Sequence, residues 1–442
     1  MMRLDLMSRG FPALATPRGA IGATAPGREV SFRSRAAQLF RIAGAILASA
    51  QLAACAALMP RTAPPEMASG HLDPVGFRDV RYWGDEATPA FADTFVQRAS
   101  ANALASRQLN FLAISGGAEN GAFGAGLLVG WSESGKRPLF DMVTGVSSGA
   151  LIAPFVFLGR ERDDKLREIF TTYGRKDIFT INVSGLLQGA ALADNAPLSN
   201  LIEKYVDRDF LRDVARESSK GRVLLIGTTD LDAQRPVLWD MGRIAAVDTP
   251  EAIALFRQVL LASATVPGAF APVRIKVRIG DKDYDELHVD GGVTRQVFIG
   301  PSIQRLIASQ RAGRASRGAR LFVIRNARID PQWENVGADM LSVTQRSLST
   351  LIKNQGIGDL YRIYSITKFN GVDFNLASIP DDFTVQADGP FDRAYMGALF
   401  DRGYQMGRRG YPWTKSPPGL PGAGRTLGIA ELHPADVGAA VR

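Results

Sequence analysis

A Gly-x-Ser-x-Gly segment at residues 145–149 is the feature that most narrows the folds available to this chain. An apolar, strand-like run at 140–144 precedes it, and a helix-like pattern begins at Ser148. A serine between a buried strand and a helix must sit on a cramped turn, and small flanking residues let the backbone make that turn without clashes. The helix start would supply free N–H groups and a positive dipole end beside the serine. The pattern predicts Ser147 as a nucleophile, with Ser148 as the neighbouring alternative.

The middle of the chain alternates short apolar runs with helix-like patterns. Apolar strands that alternate with helices indicate an α/β fold with a mostly parallel sheet covered by helices. Pro154 should kink the helix that follows Ser147, and shorter, more polar segments are expected after Lys353. The predicted strands are 111–114, 140–144, 223–227 and 321–324. One predicted helix ends at 131, another begins at 148, and the others span 250–264, 302–309, 338–353 and 393–408.

A glycine-rich segment at 115–126 follows the first of these strands. Successive backbone N–H groups in such a turn form a nest that binds anions. The segment lacks the Lys-Ser/Thr ending of a phosphate-binding P-loop. Because the serine motif follows some thirty residues later, an oxyanion hole explains the segment better. The alternative is that its glycines only allow close packing of helix and strand.

Four ordered segments resemble the patatin-like phospholipase family. They are 116–121 (GGAENG), 145–149 (GVSSG), 262–267 (ASATVP) and 290–292 (DGG), within a resemblance that spans about 110–408. The family pattern for the first is GGGx(R/K)G, so Ala118 replaces its third glycine and Asn120 replaces its basic residue. Ala118 still offers an N–H group. Because Asn120 carries no charge, this chain lacks any contribution that the family's basic residue makes to orienting the loop.

The resemblance implies a fold, a reaction and a set of site residues. The fold is a three-layer α/β structure with a mostly parallel central sheet flanked by helices. The reaction is hydrolysis of a phospholipid or other acyl lipid through a Ser147–Asp290 dyad, without a cofactor. The implied oxyanion hole is formed by Gly116, Gly117 and Ala118.

The histidine content agrees independently with a dyad. The chain has only three histidines, of which His71 lies in a predicted tether and His433 in a tail rich in Pro and Gly. His288 stands two residues before Asp290 and would share its face of a strand, so a triad stays open. We expect Asp290 to be the general base, which requires partial desolvation beside the serine.

The N-terminal segment has the pattern of an export signal. Residues 42–59 carry no charge, three arginines stand between positions 33 and 41, and the run contains Leu-Ala-Ala-Cys at 52–55. This resembles the lipobox of bacterial lipoproteins, in which the cysteine becomes the lipid-modified N-terminus. Cys55 is the only cysteine, so it forms no disulfide within the chain. We expect a membrane-anchored protein of the bacterial cell envelope; an uncleaved anchor helix or a buried helix with an inert cysteine are the alternatives.

These patterns divide the chain into four parts: a signal peptide at 1–54, a tether at 55–106, a catalytic domain at 107–410 and a tail at 411–442. Five of the eight net positive charges lie in residues 1–54, so the basic pI of about 9.7 gives little reason to expect a nucleic-acid partner. The arginines at 311, 314, 317 and 320 are interpreted as a solvated loop, with contact to anionic phospholipid as the alternative. No zinc spacing or EF-hand loop is present, and no metal site is predicted.

Three functions fit these observations. The first is hydrolysis of an ester bond in a membrane lipid, with the membrane surface engaged through Cys55. The second is a serine hydrolase of the same fold that acts on a soluble ester or thioester. The third is a non-catalytic lipoprotein that binds lipid or an envelope partner.

Overall fold

A computed structural model describes residues 61–66, 72–86, 108–181, 193–300 and 318–421. The chain divides into units at 1–58 and 59–442, and every element described here belongs to the second. The signal segment with Cys55, the histidines at 71 and 433, and the predicted helix at 302–309 lie outside the described residues.

A mixed sheet with a parallel centre organises the fold. Its strand order is β1-β7-β6-β3-β2-β10-β11, with β9 paired to β6 and β8 paired to β9. Strands β6, β3, β2, β10 and β11 are mutually parallel, whereas β1, β7, β8 and β9 pair in antiparallel fashion. The strands, including a separate β4–β5 pair, are β1 (Arg81–Trp83), β2 (Leu109–Ile114), β3 (Met142–Gly145), β4 (Thr180–Ile181), β5 (Ala193–Asp194), β6 (Val223–Asp230), β7 (Arg235–Asp240), β8 (Val273–Ile279), β9 (Lys282–Asp290), β10 (Ala319–Arg325) and β11 (Asp373–Ser378).

Helices cover both faces of the sheet, as predicted. Successive residues of β2 enter different cores: Leu112 packs with the cluster that includes α1 and α2, while Phe111 packs with the cluster that includes α9. This alternation follows from the two-residue period of a strand. The α-helices are α1 (Gly121–Glu133), α2 (Ser148–Leu158), α3 (Asp163–Thr172), α4 (Arg175–Ile178), α5 (Ala196–Tyr205), α6 (Arg208–Ser219), α7 (Met241–Ala245), α8 (Pro250–Ser263), α9 (Met340–Phe369) and α10 (Arg393–Arg409).

One prediction about the helices is wrong. Helix α9 does not give way to short polar segments after Lys353 but runs on to Phe369. Gly356 lies inside it, and a Cβ there would come within 2.6 Å of the Arg325 guanidinium. This glycine therefore serves close packing rather than helix termination. Helix α2 also continues through Pro154.

Strand β6 brings two other strand ends together. Its first half pairs with β3, where Gly145 lies opposite Ile226, and its second half pairs with β9, where Asp290 lies opposite Thr228. The two partner positions are two residues apart, about 7 Å along a strand. The residue that ends β9 and the turn that follows β3 therefore meet at one edge of the sheet.

Segments on either side of the predicted catalytic domain contribute to the sheet. Strand β1 pairs with β7, with Tyr82 opposite Leu238, and Thr414 forms an antiparallel bridge with Leu376 of β11. In the part of the chain that the structure describes, no helix is both long enough and apolar enough to cross a membrane.

Candidate active site

Ser147 occupies the turn between β3 and α2. Its backbone has φ 54° and ψ −126°, a left-handed conformation that strains an L-residue and recurs at functional sites. The two motif glycines make this turn possible, because a Cβ at Gly145 would lie 2.4 Å from the Gly149 oxygen and one at Gly149 would lie 2.4 Å from the Ile114 oxygen. Only residues without a side chain fit there. The motif thus presents Ser147 at the first turn of α2.

Asp290 lies beside Ser147 at the end of β9. Its carboxylate is buried, accepts the Gly292 N–H at 2.7 Å, and lies beside the Ser147 hydroxyl. Burial raises the pKa of Asp290 to about 6, while the Ser147 hydroxyl and the Gly292 N–H group oppose the rise. A carboxyl group with a pKa near neutrality can both accept and return a proton. The predicted serine and aspartate are therefore brought into contact.

The third family-like segment, at 262–267, holds both of these residues. The Ser263 hydroxyl accepts the Ser147 backbone N–H at 3.0 Å and donates to the Gly227 oxygen at 2.7 Å. The Thr265 oxygen accepts the Asp290 backbone N–H at 2.9 Å. The sequence marks this segment only by its resemblance to the family, and it gives no sign that residues of the segment hold the backbones of Ser147 and Asp290.

The glycine-rich turn lies across from Ser147. A Cβ at Gly116 would stand 3.0 Å from the Ser147 Cβ, and the Gly116 N–H is already used by the Gln296 backbone oxygen at 3.1 Å. Among the described residues, no group accepts a hydrogen bond from the amides of Gly117 and Ala118. Of the three predicted oxyanion residues, Gly117 and Ala118 have free donors and Gly116 supplies space.

Asn326 fixes this turn, and sequence reasoning did not identify it. It follows β10, is fully buried, donates from Nδ2 to the Ser115 oxygen at 2.9 Å, and accepts the Gly124 N–H on Oδ1 at 3.1 Å. A Cβ at Gly117 would come within 2.2 Å of the Asn326 backbone oxygen. A single asparagine after a strand carries no signal for this role.

Gln296 links the turn after Asp290 to the glycine-rich turn. Besides accepting the Gly116 N–H, it donates from Nε2 to the Gly292 oxygen at 3.0 Å and from its backbone to Asp359 at 2.8 Å. Burial raises the pKa of Asp359 to about 6. The two turns on either side of Ser147 are therefore one hydrogen-bonded unit.

Asn120 stands where the resembling family has a basic residue. Its Oδ1 accepts a hydrogen bond from the Tyr395 hydroxyl of α10 at 2.6 Å. The asparagine therefore joins the glycine-rich turn to a neighbouring helix.

An apolar cavity of about 310 Å³ opens beside the serine, a size at the lower end of small-molecule sites, which span about 300–1,000 Å³. Its described lining carries no charged side chain, and its only hydroxyls belong to Ser147, Ser148, Tyr173 and Tyr205. The cavity was not predicted, because its walls come from α2, α3, α5, α8 and the loops before α10. Its apolar lining residues include Leu151, Phe155, Ile169, Phe179, Phe270 and Phe391.

His288 belongs to a separate buried network. Its Nε2 lies 3.0 Å from Glu286 and its Nδ1 lies 3.0 Å from the Thr228 hydroxyl. Arg81 of β1 forms a buried ion pair with Glu286. Burial acts to raise the pKa of Glu286, but hydrogen bonds from Arg81 and His288 lower it to about 2. Both ring nitrogens of His288 are thus engaged away from Ser147.

In the described part of the chain, three side chains of the same network lie close enough together that they could hold a metal ion. Asp230, Glu286 and His288 have possible ligand atoms within 4.8 Å of one another. A cation would compete there with the Arg81 guanidinium, which already pairs with Glu286. Two backbone N–H groups, from Asp232 and Ala233, already donate to Asp230.

Residues 112–302 match the family model described as patatin-like phospholipase. Among solved structures, VipD from Legionella pneumophila is similar over 68% of this chain and 67% of its own, with 12% identity and a TM-score of 0.29. Human GIVD cytosolic phospholipase A2 is similar over 69% of this chain and 56% of its own, with 10% identity and a TM-score of 0.28. The chain thus spans little more than half of the human protein's length. No curated protein sequence matches the chain.

Proposed function

Residues 112–302 form a patatin-like phospholipase domain, and we propose that the protein is a serine lipid acyl hydrolase that uses Ser147 as nucleophile and Asp290 as base. One observation carries the proposal: the Ser147 hydroxyl, at the wall of an apolar cavity, lies beside the buried Asp290 carboxylate. Family membership supports action on acyl lipids in general, and the dyad is the finer assignment that needs testing.

Acylation begins when the Ser147 oxygen attacks the ester carbonyl carbon. Asp290 takes the hydroxyl proton as the C–O bond forms, and the carbonyl oxygen becomes an anion. The free amides of Gly117 and Ala118 are the donors available to that oxyanion. Collapse of the intermediate breaks the ester bond, and the alcohol leaves with the proton held by Asp290.

Deacylation repeats these steps with water. Asp290 takes a proton from a water molecule whose oxygen attacks the acyl-serine carbonyl. The second oxyanion collapses, the fatty acid leaves, and the Ser147 oxygen recovers the proton from Asp290. A base with a pKa of about 6 is largely ionised at neutral pH and can still release its proton.

The cavity favours an acyl chain over a polar substrate. Its lining offers no charged group to bind a polar acyl portion, and each methylene buried there contributes about 0.8 kcal/mol. The ester of a phospholipid or another acyl lipid would place its chain in the cavity and its head group outside.

Attachment to a bacterial envelope membrane through a lipidated Cys55 is also part of the proposal. The lipobox-like segment supports it, and several acyl chains would hold the protein firmly, at about 0.8 kcal/mol per buried methylene. Cys55→Ser should leave an unprocessed precursor in cells. Processing at the same site with unchanged membrane fractionation would contradict this anchor.

Hydrolysis of phospholipid vesicles by the purified protein tests the activity, with released fatty acids identified by mass spectrometry. Ser147→Ala and Asp290→Asn should lose about 10³-fold or more in rate, whereas the exposed-site control Ser349→Ala should match the wild type. A fluorophosphonate should label the wild type and not Ser147→Ala. Absence of both label and product would favour a non-catalytic lipid-binding protein, and activity on soluble esters alone would favour a soluble substrate.

A further inference from the structure

We propose that Tyr173 and Tyr205 close the far end of the cavity and set the longest acyl chain that the site accepts. This inference rests on the proposed function, since it treats the cavity beside Ser147 as the acyl-chain site. It assigns a specificity role to two side chains at the junction between the apolar lining and the solvent.

The cavity follows α2 away from the nucleophile. Leu151 and Phe155 line it one and two turns beyond Ser147. Eight residues of helix correspond to about 12 Å. At that depth the ring of Tyr205 packs edge-on against Phe155, with centroids 6.4 Å apart, and Tyr173 packs against Tyr205 at 6.2 Å. The two phenol rings therefore stand about two helical turns from the reacting oxygen.

Hydrogen bonds fix the two rings in place. The hydroxyls of Tyr173 and Tyr205 lie 2.7 Å apart, Tyr205 donates to Glu168 at 2.5 Å, and the Lys204 ammonium donates to the Tyr173 oxygen at 2.6 Å. Lys204 also lies 3.5 Å from Glu168, and both charged side chains reach solvent. The hydroxyls that line the cavity thus occur at its two ends, with the serines at one and the phenols at the other.

An acyl chain that reaches this end meets a polar barrier. A longer chain would have to displace the phenol rings or enter their hydrogen-bonded cluster, whose charged members reach solvent and offer the methylenes no apolar surface to bury against. An extended hydrocarbon advances about 1.25 Å per carbon for C–C bonds of about 1.5 Å. A depth of about 12 Å therefore suits chains of about ten carbons.

Chain-length profiles test the inference with p-nitrophenyl butyrate, octanoate, decanoate and palmitate under one detergent condition. For the wild type, kcat/KM should rise to decanoate and fall at palmitate. Removal of a ring should let extra methylenes bind, each worth up to about fourfold. In Tyr205→Ala, and separately in Tyr173→Ala, the palmitate-to-octanoate ratio should rise at least about tenfold.

Two further variants separate the ring from other effects. Tyr205→Phe keeps the ring and should stay within about threefold of the wild-type ratio. Tyr361→Ala removes an exposed tyrosine outside the cavity lining and should leave the ratio unchanged. A wild-type protein that hydrolyses none of these esters would contradict the proposed function. A wild type that is active, with wild-type ratios in both alanine variants or an equal rise in Tyr205→Phe, would overturn the closure alone.

Discussion

Ser263 holds the backbone of Ser147 through a hydroxyl that accepts the Ser147 N–H at 3.0 Å and donates to the Gly227 oxygen at 2.7 Å. Both partners are buried. The strained left-handed backbone of Ser147 therefore has an anchor outside its own turn, on the last residue of α8. The geometry of Ser147 depends on this contact as well as on the two motif glycines.

We expect Ser263→Ala to lower kcat by about tenfold and to leave KM within about twofold, because the turn loses an anchor while the cavity keeps its shape. The variant should also lose about 1–3 kcal/mol in free energy of unfolding, since a buried N–H and a buried oxygen lose their partner. Steady-state kinetics and urea unfolding measure both effects. Ser349→Ala on the exposed side of α9 is the matched control, and an unchanged kcat in Ser263→Ala would show that the contact is not needed.

The pKa of Asp290 predicts the acid limb of the activity profile. The carboxyl group must be ionised to take the Ser147 proton, and its pKa is raised by burial to about 6. We expect kcat/KM to rise with pH and to reach half of its plateau near pH 6. The pH dependence should be measured with a substrate that does not itself titrate. A midpoint near pH 4, the ordinary value for a solvated aspartate, would contradict a desolvated base.

The same burial predicts that Asp290 destabilises the folded protein at neutral pH. Its folded-state pKa of about 6 exceeds the unfolded value of 3.8, so its stabilising contribution is complete below the unfolded pKa and is lost as pH rises through the folded pKa. Asp290→Asn should therefore gain up to about 3 kcal/mol in free energy of unfolding at neutral pH relative to acid conditions. Denaturant unfolding at pH 5 and pH 8 compares the two proteins and should show about half of that change, because pH 5 already lies between the two pKa values. A constant difference across that range would refute the assignment.

The glycine-rich turn should tolerate changes very unequally. A Cβ at Gly117 would come within 2.2 Å of the Asn326 oxygen, so Gly117→Val should displace the donor amides and lower kcat by about 10²–10³. Asn120→Ala removes only the contact with Tyr395 and should lower kcat by less than about tenfold. Kinetics of the two folded variants decide the point. Equal losses would make the Asn120 side chain a direct participant in the reaction.

Four of the five parallel strands were predictable because their residues are buried on both faces, whereas β11 was not predicted. Runs such as 111–114 and 321–324 are apolar throughout, which distinguishes them from exposed strands, and their shortness distinguishes them from buried helices. Strand β9 was not predicted because its first residues, Lys282–Glu286, are mostly polar. Its position beside β3 follows only from pairing with β6.

The site was predictable where chemistry fixes the residue type. The turn around Ser147 needs glycines at fixed spacing, so the motif is visible in the chain, and family resemblance added Asp290. Asn326 and Gln296 act through hydrogen bonds to segments that are mostly distant in sequence, and no spacing records such contacts. Helix α2 is apolar on almost every face, so the sequence could not separate Phe155, which lines the cavity, from the ordinary core residues of that helix.

The proposed mechanism is tested most directly by asking whether Asp290 or His288 takes the proton from Ser147. The two side chains are two residues apart on β9, yet only Asp290 contacts Ser147. The Nε2–H of His288 can donate to Glu286 while its Nδ1 accepts from the Thr228 hydroxyl, which in turn accepts the Trp239 indole N–H at 2.8 Å. A histidine with both nitrogens engaged in this way is not free to take a proton from the serine.

We therefore expect His288→Ala to affect stability more than catalysis. Its removal takes one hydrogen bond each from the buried Glu286, which keeps Arg81, and Thr228, which keeps Trp239. We expect a loss of about 1–3 kcal/mol in all, while kcat per folded molecule should fall by less than about tenfold. Circular dichroism fixes the folded fraction, and fluorophosphonate labelling counts active serines in each preparation. Tyr284→Ala, on the same strand and away from the network, serves as the control for β9. A folded His288→Ala protein as inactive as Ser147→Ala would replace the dyad by a triad, because no loss of stability could account for that result.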